Sequence, residues 1–80
     1  MARMGAKTVA VAFGQVLRDC RDKVGLSQEE LAGRADVDRT YVSLLERGRR
    51  QPSLEMLFKL SRALGVAPAT LVSRAAALLE

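Results

Sequence analysis

Residues 26–52, LSQEELAGRADVDRTYVSLLERGRRQP, decide how the chain folds. Ser27 stands three residues before Glu30, the S-x-x-E spacing of a capping box, so a helix is expected to start here. Leu31, Ala32 and Ala35 give that helix a narrow apolar stripe. Asp36 and Val37 form a turn, and Asp38 caps a second helix that runs through Val42 and Leu45 to Glu46 and Arg47. Gly48 then ends it, as a residue suited to a positive φ does. The first of the two helices is too short to be stable alone and needs a partner across the turn. The stretch is expected to fold as a helix-turn-helix, with the remaining chain built to hold it.

Working outward, residues 1–8 show no period and are expected to form a flexible arm carrying Arg3 and Lys7. A helix starts between Thr8 and Gly14, where Gly14 weakens any helical interior. Phe13, Val16, Leu17, Cys20 and Val24 then fall on one helical face, and Gly25 stops the run. The place of Cys20 on that face makes it a buried small hydrophobe rather than a reactive thiol. On the other side of the central stretch, Ser53 caps a further helix, with Glu55 in its first turn. Leu54, Leu57, Phe58, Leu60 and Leu64, with Met56, supply its apolar face, Gly65 closes it, and Val66 packs back over the turn. Pro68 suits the first position of a last helix carrying Leu71, Val72, Ala75, Leu78 and Leu79. No strand pattern or internal repeat is present. The fold class is therefore all-α, a compact five-helix domain over residues 9–80 behind an arm of residues 1–8.

With 80 residues the chain has room for one small domain. The 49% of hydrophobic residues are nearly all aliphatic, enough for a helical core without staples. One cysteine and no histidine exclude an internal disulfide and any Cys/His metal set, so no metal and no cofactor is expected. Enzymatic activity is not expected either. The chain has no His, no Cys-based pair, no phosphate-cradling glycine loop and no convergent pair of carboxylates. The lone thiol makes a reducing cytoplasm the expected location, and the apolar run from Thr8 to Phe13 is far too short to span a membrane and lacks a signal-peptide core. The net charge is +4 and the pI about 10.0, which favours a polyanionic partner. Its distribution says more: Arg39, Arg47, Arg49 and Arg50 face a single carboxylate, Glu46, between residues 39 and 50. An isolated run of this kind is usually a solvated loop. Beside a helix-turn-helix it is a candidate nucleic-acid surface.

Taken together, G-L-S-Q-E-E-L-A, D-R-T-Y-V-S-L-L-E-R-G and P-S-L-E-M-L-F-K-L-S-R-A-L-G-V resemble the Cro/phage-repressor-like (XRE-type) helix-turn-helix family, from about Phe13 to Val72. Within that family, D-R-T-Y-V-S and the short length are similar to the controller proteins of restriction-modification systems. The resemblance implies five helices, with the second and third as the DNA-binding unit. It implies that Gln28 meets a phosphate together with the amides of its helix end, and that Arg39 and Thr40 touch base edges. It also implies that Tyr41, Ser43, Arg49, Arg50 and Gln51 grip the sugar-phosphate backbone, and that Arg21 and Glu46 form a buried ion pair. The chain departs from the family pattern twice. Asp36 stands where the turn often has glycine, and Asp tolerates the left-handed backbone. Leu44 stands on the DNA-facing side where a polar residue is frequent, and could meet a thymine methyl or sit half exposed.

The side chains suit these roles on their own chemistry. Arg39 can donate two hydrogen bonds to O6 and N7 of guanine, and Thr40 offers a hydroxyl or a methyl. A phosphate contact or a solvated side chain is the competing reading of Arg39, and packing against the domain's own core that of Tyr41. One such domain reads one half-site, so binding to a palindromic operator calls for a homodimer with half-sites about 34–36 Å apart. Phe58, Leu71, Val72, Leu78 and Leu79 are the candidate interface, unless they complete the monomer core. The expected function is a sequence-specific transcription regulator of double-stranded DNA, with an RNA polymerase contact if it activates. The alternative is a protein-interaction module on the same scaffold, such as an antitoxin that neutralises a toxin.

Overall fold

Each of the helices in the computed structural model, which describes residues 7–80, begins at a residue whose chemistry suits a helix start. The expected N-terminal arm lies, for residues 1–6, outside the described residues. Thr8 Oγ1 accepts the Val11 N–H at 3.1 Å and opens α1, Val9–Val24. Ser27 and Glu30 form the full capping box of α2, Gln28–Ala35. The Glu30 N–H donates to Ser27 Oγ at 3.0 Å, and the Ser27 N–H donates to Glu30 Oε1 at 2.9 Å. Asp38 Oδ1 accepts the Thr40 N–H at 2.9 Å ahead of α3, Arg39–Glu46. Ser53 Oγ accepts the Met56 N–H at 3.1 Å ahead of α4, Leu54–Leu64. In α5, Pro68–Leu79, no side chain caps, and Pro68 itself occupies the first turn, where its missing N–H costs nothing. Between α2 and α3, Asp36 takes the left-handed conformation at φ 57°, ψ 50°, the only non-glycine among the described residues at positive φ.

Each helix then contributes one leucine with no remaining exposure: Leu17, Leu31, Leu45, Leu60 and Leu71. Burying one such side chain is worth about 1.5–3 kcal/mol, and these side chains form the centre to which all five helices contribute. Around that centre α1 packs against α5 and α3, α2 against α3 and α4, and α4 against α5. Cys20 is buried, as its place on the α1 face predicts, and Arg74 Nη1 of α5 donates to its Sγ at 3.3 Å.

Two expectations about the core need correction. Leu54 and Phe58 are not core residues; they are 71% and 54% exposed. The buried stripe of α4 is Leu57, Leu60, Ser61 and Leu64, and Leu54 and Phe58 lie one helical stripe to the side. Ser61 can sit in the core because its hydroxyl donates to the Phe58 carbonyl at 3.0 Å, a local bond invisible to a hydrophobicity pattern. At the end of α1, Val24 is exposed, not part of the buried face. In α5 the inward stripe is Leu71 and Ala75 with Leu78 half-buried, which leaves Val72 and Leu79 outside.

Gly14 does more than weaken a helix. A Cβ built on it would lie 2.3 Å from the Leu45 carbonyl oxygen and 2.9 Å from that of Glu46. The last turn of α3 therefore rests directly on the backbone of α1, an approach that only glycine permits. Gly48, just past α3, combines a φ of 71° with a Cβ position 2.8 Å from Val11 Cγ2, so it too is fixed by conformation and by space.

Candidate nucleic-acid interface

The helix-turn-helix is α2, the turn at Asp36–Asp38, and α3. Its outer side carries Arg39 and Thr40, both exposed, on the first turn of α3. One turn further, Ser43 and Leu44 are half-buried, so Leu44 shows part of its side chain rather than all of it. Tyr41 is half-buried and packs against the core cluster. Past Gly48 the chain turns back, with the Arg49 N–H bonded to the Leu44 carbonyl at 2.9 Å, and Arg49, Arg50 and Gln51 project as exposed residues. Arg47, the C-cap residue just past α3, folds back along that helix, with Nε 3.4 Å from the Ser43 carbonyl. The structure thus gathers Arg39, Thr40, Ser43, Leu44 and the 49–51 loop onto α3 and its exit.

Behind this surface lies a polar cluster that ties three helices. Arg21 of α1 grips Glu46 of α3 with two hydrogen bonds, Nε to Oε2 at 2.6 Å and Nη2 to Oε1 at 3.0 Å. The two side chains are only 12% and 4% exposed. Arg21 Nη1 also donates to the Leu26 carbonyl at 2.8 Å, just ahead of the α2 cap, and lies 3.3 Å from Asp22 Oδ1. The Glu46 hydrogen bond, against the opposing effect of burial, holds the Arg21 pKa above its usual value, so the guanidinium is always charged.

Gln28, the first residue of α2, donates its side-chain amide to Glu46 Oε1 at 3.0 Å. No sequence pattern announces this contact, because it links residues that approach only when α2 and α3 are folded. Its consequence is that both the start of α2 and the end of α3 are fixed on the same carboxylate. Among the described residues no buried side-chain nitrogen or oxygen lacks a partner, so the cluster is fully satisfied.

The candidate interface between copies divides. Leu71 is wholly buried within the single chain and offers no surface to a partner, which removes it from the expected set. Val72, 51% exposed, and Leu79 line an apolar groove of about 230 Å³ with Val9, Phe13, Leu57 and Pro52, and Leu78 packs half-buried against the core. Phe58 opens instead on a second hollow between α2 and α4 that shares no residue with the first.

A family model described as "Helix-turn-helix" matches residues 17–71, which covers α2, α3 and α4 whole. The chain belongs to the helix-turn-helix family. It is an all-α transcription regulator of the XRE type and is similar to restriction-modification controller proteins. Control protein C.BamHI of Bacillus amyloliquefaciens is 46% identical over 65 residues, 80% of each chain. The crystal structure of the controller protein C.AhdI from Aeromonas hydrophila superimposes with a TM-score of 0.76 at 48% identity, over 78% of this chain and 94% of that one. Another solved structure, the controller protein C.Esp1396I as a tetramer in complex with its natural 35-base-pair operator, gives a TM-score of 0.81 at 25% identity, over 91% of this chain and 96% of that one. The relatives are regulators rather than enzymes. Among the described residues no single helix is long and apolar enough to cross a membrane.

Proposed function

We propose that this helix-turn-helix regulator binds a palindromic operator in double-stranded DNA as a homodimer, in the cytoplasm, as the controller of a restriction-modification system. One observation carries the reading: Arg39 and Thr40 stand exposed on the first turn of α3, flanked by the exposed Arg49 and Arg50. In this arrangement α3 enters the major groove, Arg39 and Thr40 read base edges, and Leu44 contributes its exposed part to a thymine methyl. Arg49, Arg50 and Gln51 bind phosphates past the end of α3, while Tyr41 and Ser43 reach the backbone from its half-buried flank. Gln28 meets a phosphate at the start of α2, its side chain already oriented by Glu46. The apolar groove edged by Val72 and Leu79 supports a second copy docking along α5, with Leu78 at its margin. If the regulator activates, a further surface meets RNA polymerase.

In vitro selection from randomised duplex DNA at near-physiological salt tests this reading. A two-fold symmetric motif is expected. A single enriched half-site would remove the dimer, and no enrichment with a folded protein would remove sequence-specific recognition and favour a protein-binding role.

A further inference from the structure

The second hollow has a different character from the DNA-facing surface and from the apolar groove. About 270 Å³ in volume, it lies between the end of α2 and the outer face of α4, lined by Arg34, Ala35, Glu55, Phe58, Lys59 and Arg62. The four α4 residues recur at i, i+3, i+4 and i+7, so they form one stripe along the helix, flanked by the end of α2. Phe58, 54% exposed, shares this lining with three cations, Arg34, Lys59 and Arg62. The one carboxylate, Glu55, is itself mostly exposed and reaches only Lys59, at 4.0 Å. Among the described residues Arg34 and Arg62 make no salt bridge. Their positions in the last turns of α2 and α4 suit the carbonyl ends of those helices. That accounts for the two arginines, and the i,i+4 pair with Glu55 accounts for Lys59, but neither accounts for an aromatic ring left exposed beside them.

We propose that this hollow is a docking site for an acidic protein segment that seats one large apolar side chain on Phe58 and reaches Arg34, Lys59 and Arg62 with its carboxylates. The charge balance selects the partner: three cations against one weakly paired carboxylate favour an anionic ligand. The exposed ring selects among anions. A DNA duplex presents phosphates along its outside but no apolar side chain to cover Phe58, and none of the residues assigned to DNA lines the hollow. Aromatic residues and arginine are the residue types most enriched where proteins bind one another. The site is independent of the operator reading, and a partner could occupy it with α3 on DNA.

The test uses the full chain, 15N-labelled, titrated with a synthetic peptide of roughly a dozen residues, Glu and Asp around one central Leu. Saturating shifts are expected at Ala35, Phe58, Lys59 and Arg62. The same peptide with Ala for Leu should bind roughly tenfold more weakly, as should the original peptide to Phe58→Ala. Arg62→Glu should weaken it about fivefold or more, while both variants bind duplex DNA within about twofold of the parent. Both positions are exposed, so folding is retained, which circular dichroism would verify. Shifts centred on residues 39–51, equal binding of the Leu and Ala peptides, or occupation of the hollow by oligothymidylate and not by the peptide would each overturn the proposal.

Discussion

Replacing Glu46 by leucine tests the central cluster most directly. The substitution removes the acceptor of both Arg21 hydrogen bonds and of the Gln28 amide, and sets an apolar side chain against a guanidinium only 12% exposed. Stranding one member of a buried pair costs about 3–5 kcal/mol. The lower end applies here, because Arg21 keeps the Leu26 carbonyl at 2.8 Å and Asp22 at 3.3 Å, and Gln28 can turn to water. About 3 kcal/mol is a large share of the stability of an 80-residue domain, about 4–12 kcal/mol at 0.05–0.15 kcal/mol per residue. It corresponds to a fall in Tm of about 12–24 °C, read by circular dichroism at neutral pH. The decisive variant is the double one, Arg21→Met with Glu46→Leu. Two apolar side chains of similar volume leave no charge stranded, and such replacements of buried pairs are often neutral or stabilising. The double variant is therefore expected to be more stable than Glu46→Leu alone by about 2 kcal/mol or more. A single variant that loses less than about 1 kcal/mol, or single effects that simply add in the double variant, would refute the reasoning.

The remaining expectations concern other parts of the molecule. Gly14→Ala places a methyl 2.3 Å from the Leu45 carbonyl oxygen, a backbone atom that cannot step aside, so α1 and α3 must separate at a cost of about 3 kcal/mol; a melting point within a few degrees of the parent would show that the helices are not so close. Arg39→Ala should relax sequence preference at one operator position by about 1–3 kcal/mol, whereas Arg50→Ala should weaken binding to most sequences alike; equal losses on all sequences for Arg39→Ala would remove it from base reading. The Glu30 carboxyl is held below its ordinary value of 4.5 by hydrogen bonds from the Ser27 backbone and side chain. Its contribution is thus present above that value and lost as the pH falls through the lowered one, so amide protection at the start of α2 should drop below pH 4.5 in the parent and not in Glu30→Gln. Val72→Glu should shift sedimentation toward the monomer without unfolding the chain, since Val72 is exposed in the single domain.

Local chemistry made the architecture legible. Ser27, Asp38 and Ser53 each begin a helix where an N-cap residue was expected, and Asp36 accepts the left-handed turn that a glycine more often fills. What stayed hidden was long-range. Gly14 is a weak helix residue until Leu45 and Glu46 are folded against it, and Ser61 is a polar residue until its hydroxyl finds the carbonyl of Phe58. The hydrophobic pattern makes the apolar face of α4 too wide for the same reason: with Ser61 inside, the buried stripe rotates, and Leu54 and Phe58 turn to solvent. In α5 the split between Leu71 and Val72, adjacent in sequence, depends on which side of the helix α1 occupies.

The same distinction separates the functional residues. Arg39, Thr40, Arg49 and Arg50, the residues proposed to contact DNA, are legible in the sequence because their proposed roles need only exposure and their own side-chain chemistry. Gln28 has a folded-state role that no local pattern contains: it is the first residue of α2, yet the carboxylate that orients it belongs to the last residue of α3. Glu46 in turn is held by Arg21, whose remaining N–H reaches the carbonyl just ahead of α2. A side chain that orders the helix ends therefore also sets the spacing between the start of α2 and the end of α3. On the proposed DNA reading, loosening Glu46 should cost operator affinity even where the fold survives, because this carboxylate holds the start of α2 against the helix that carries Arg39 and Thr40.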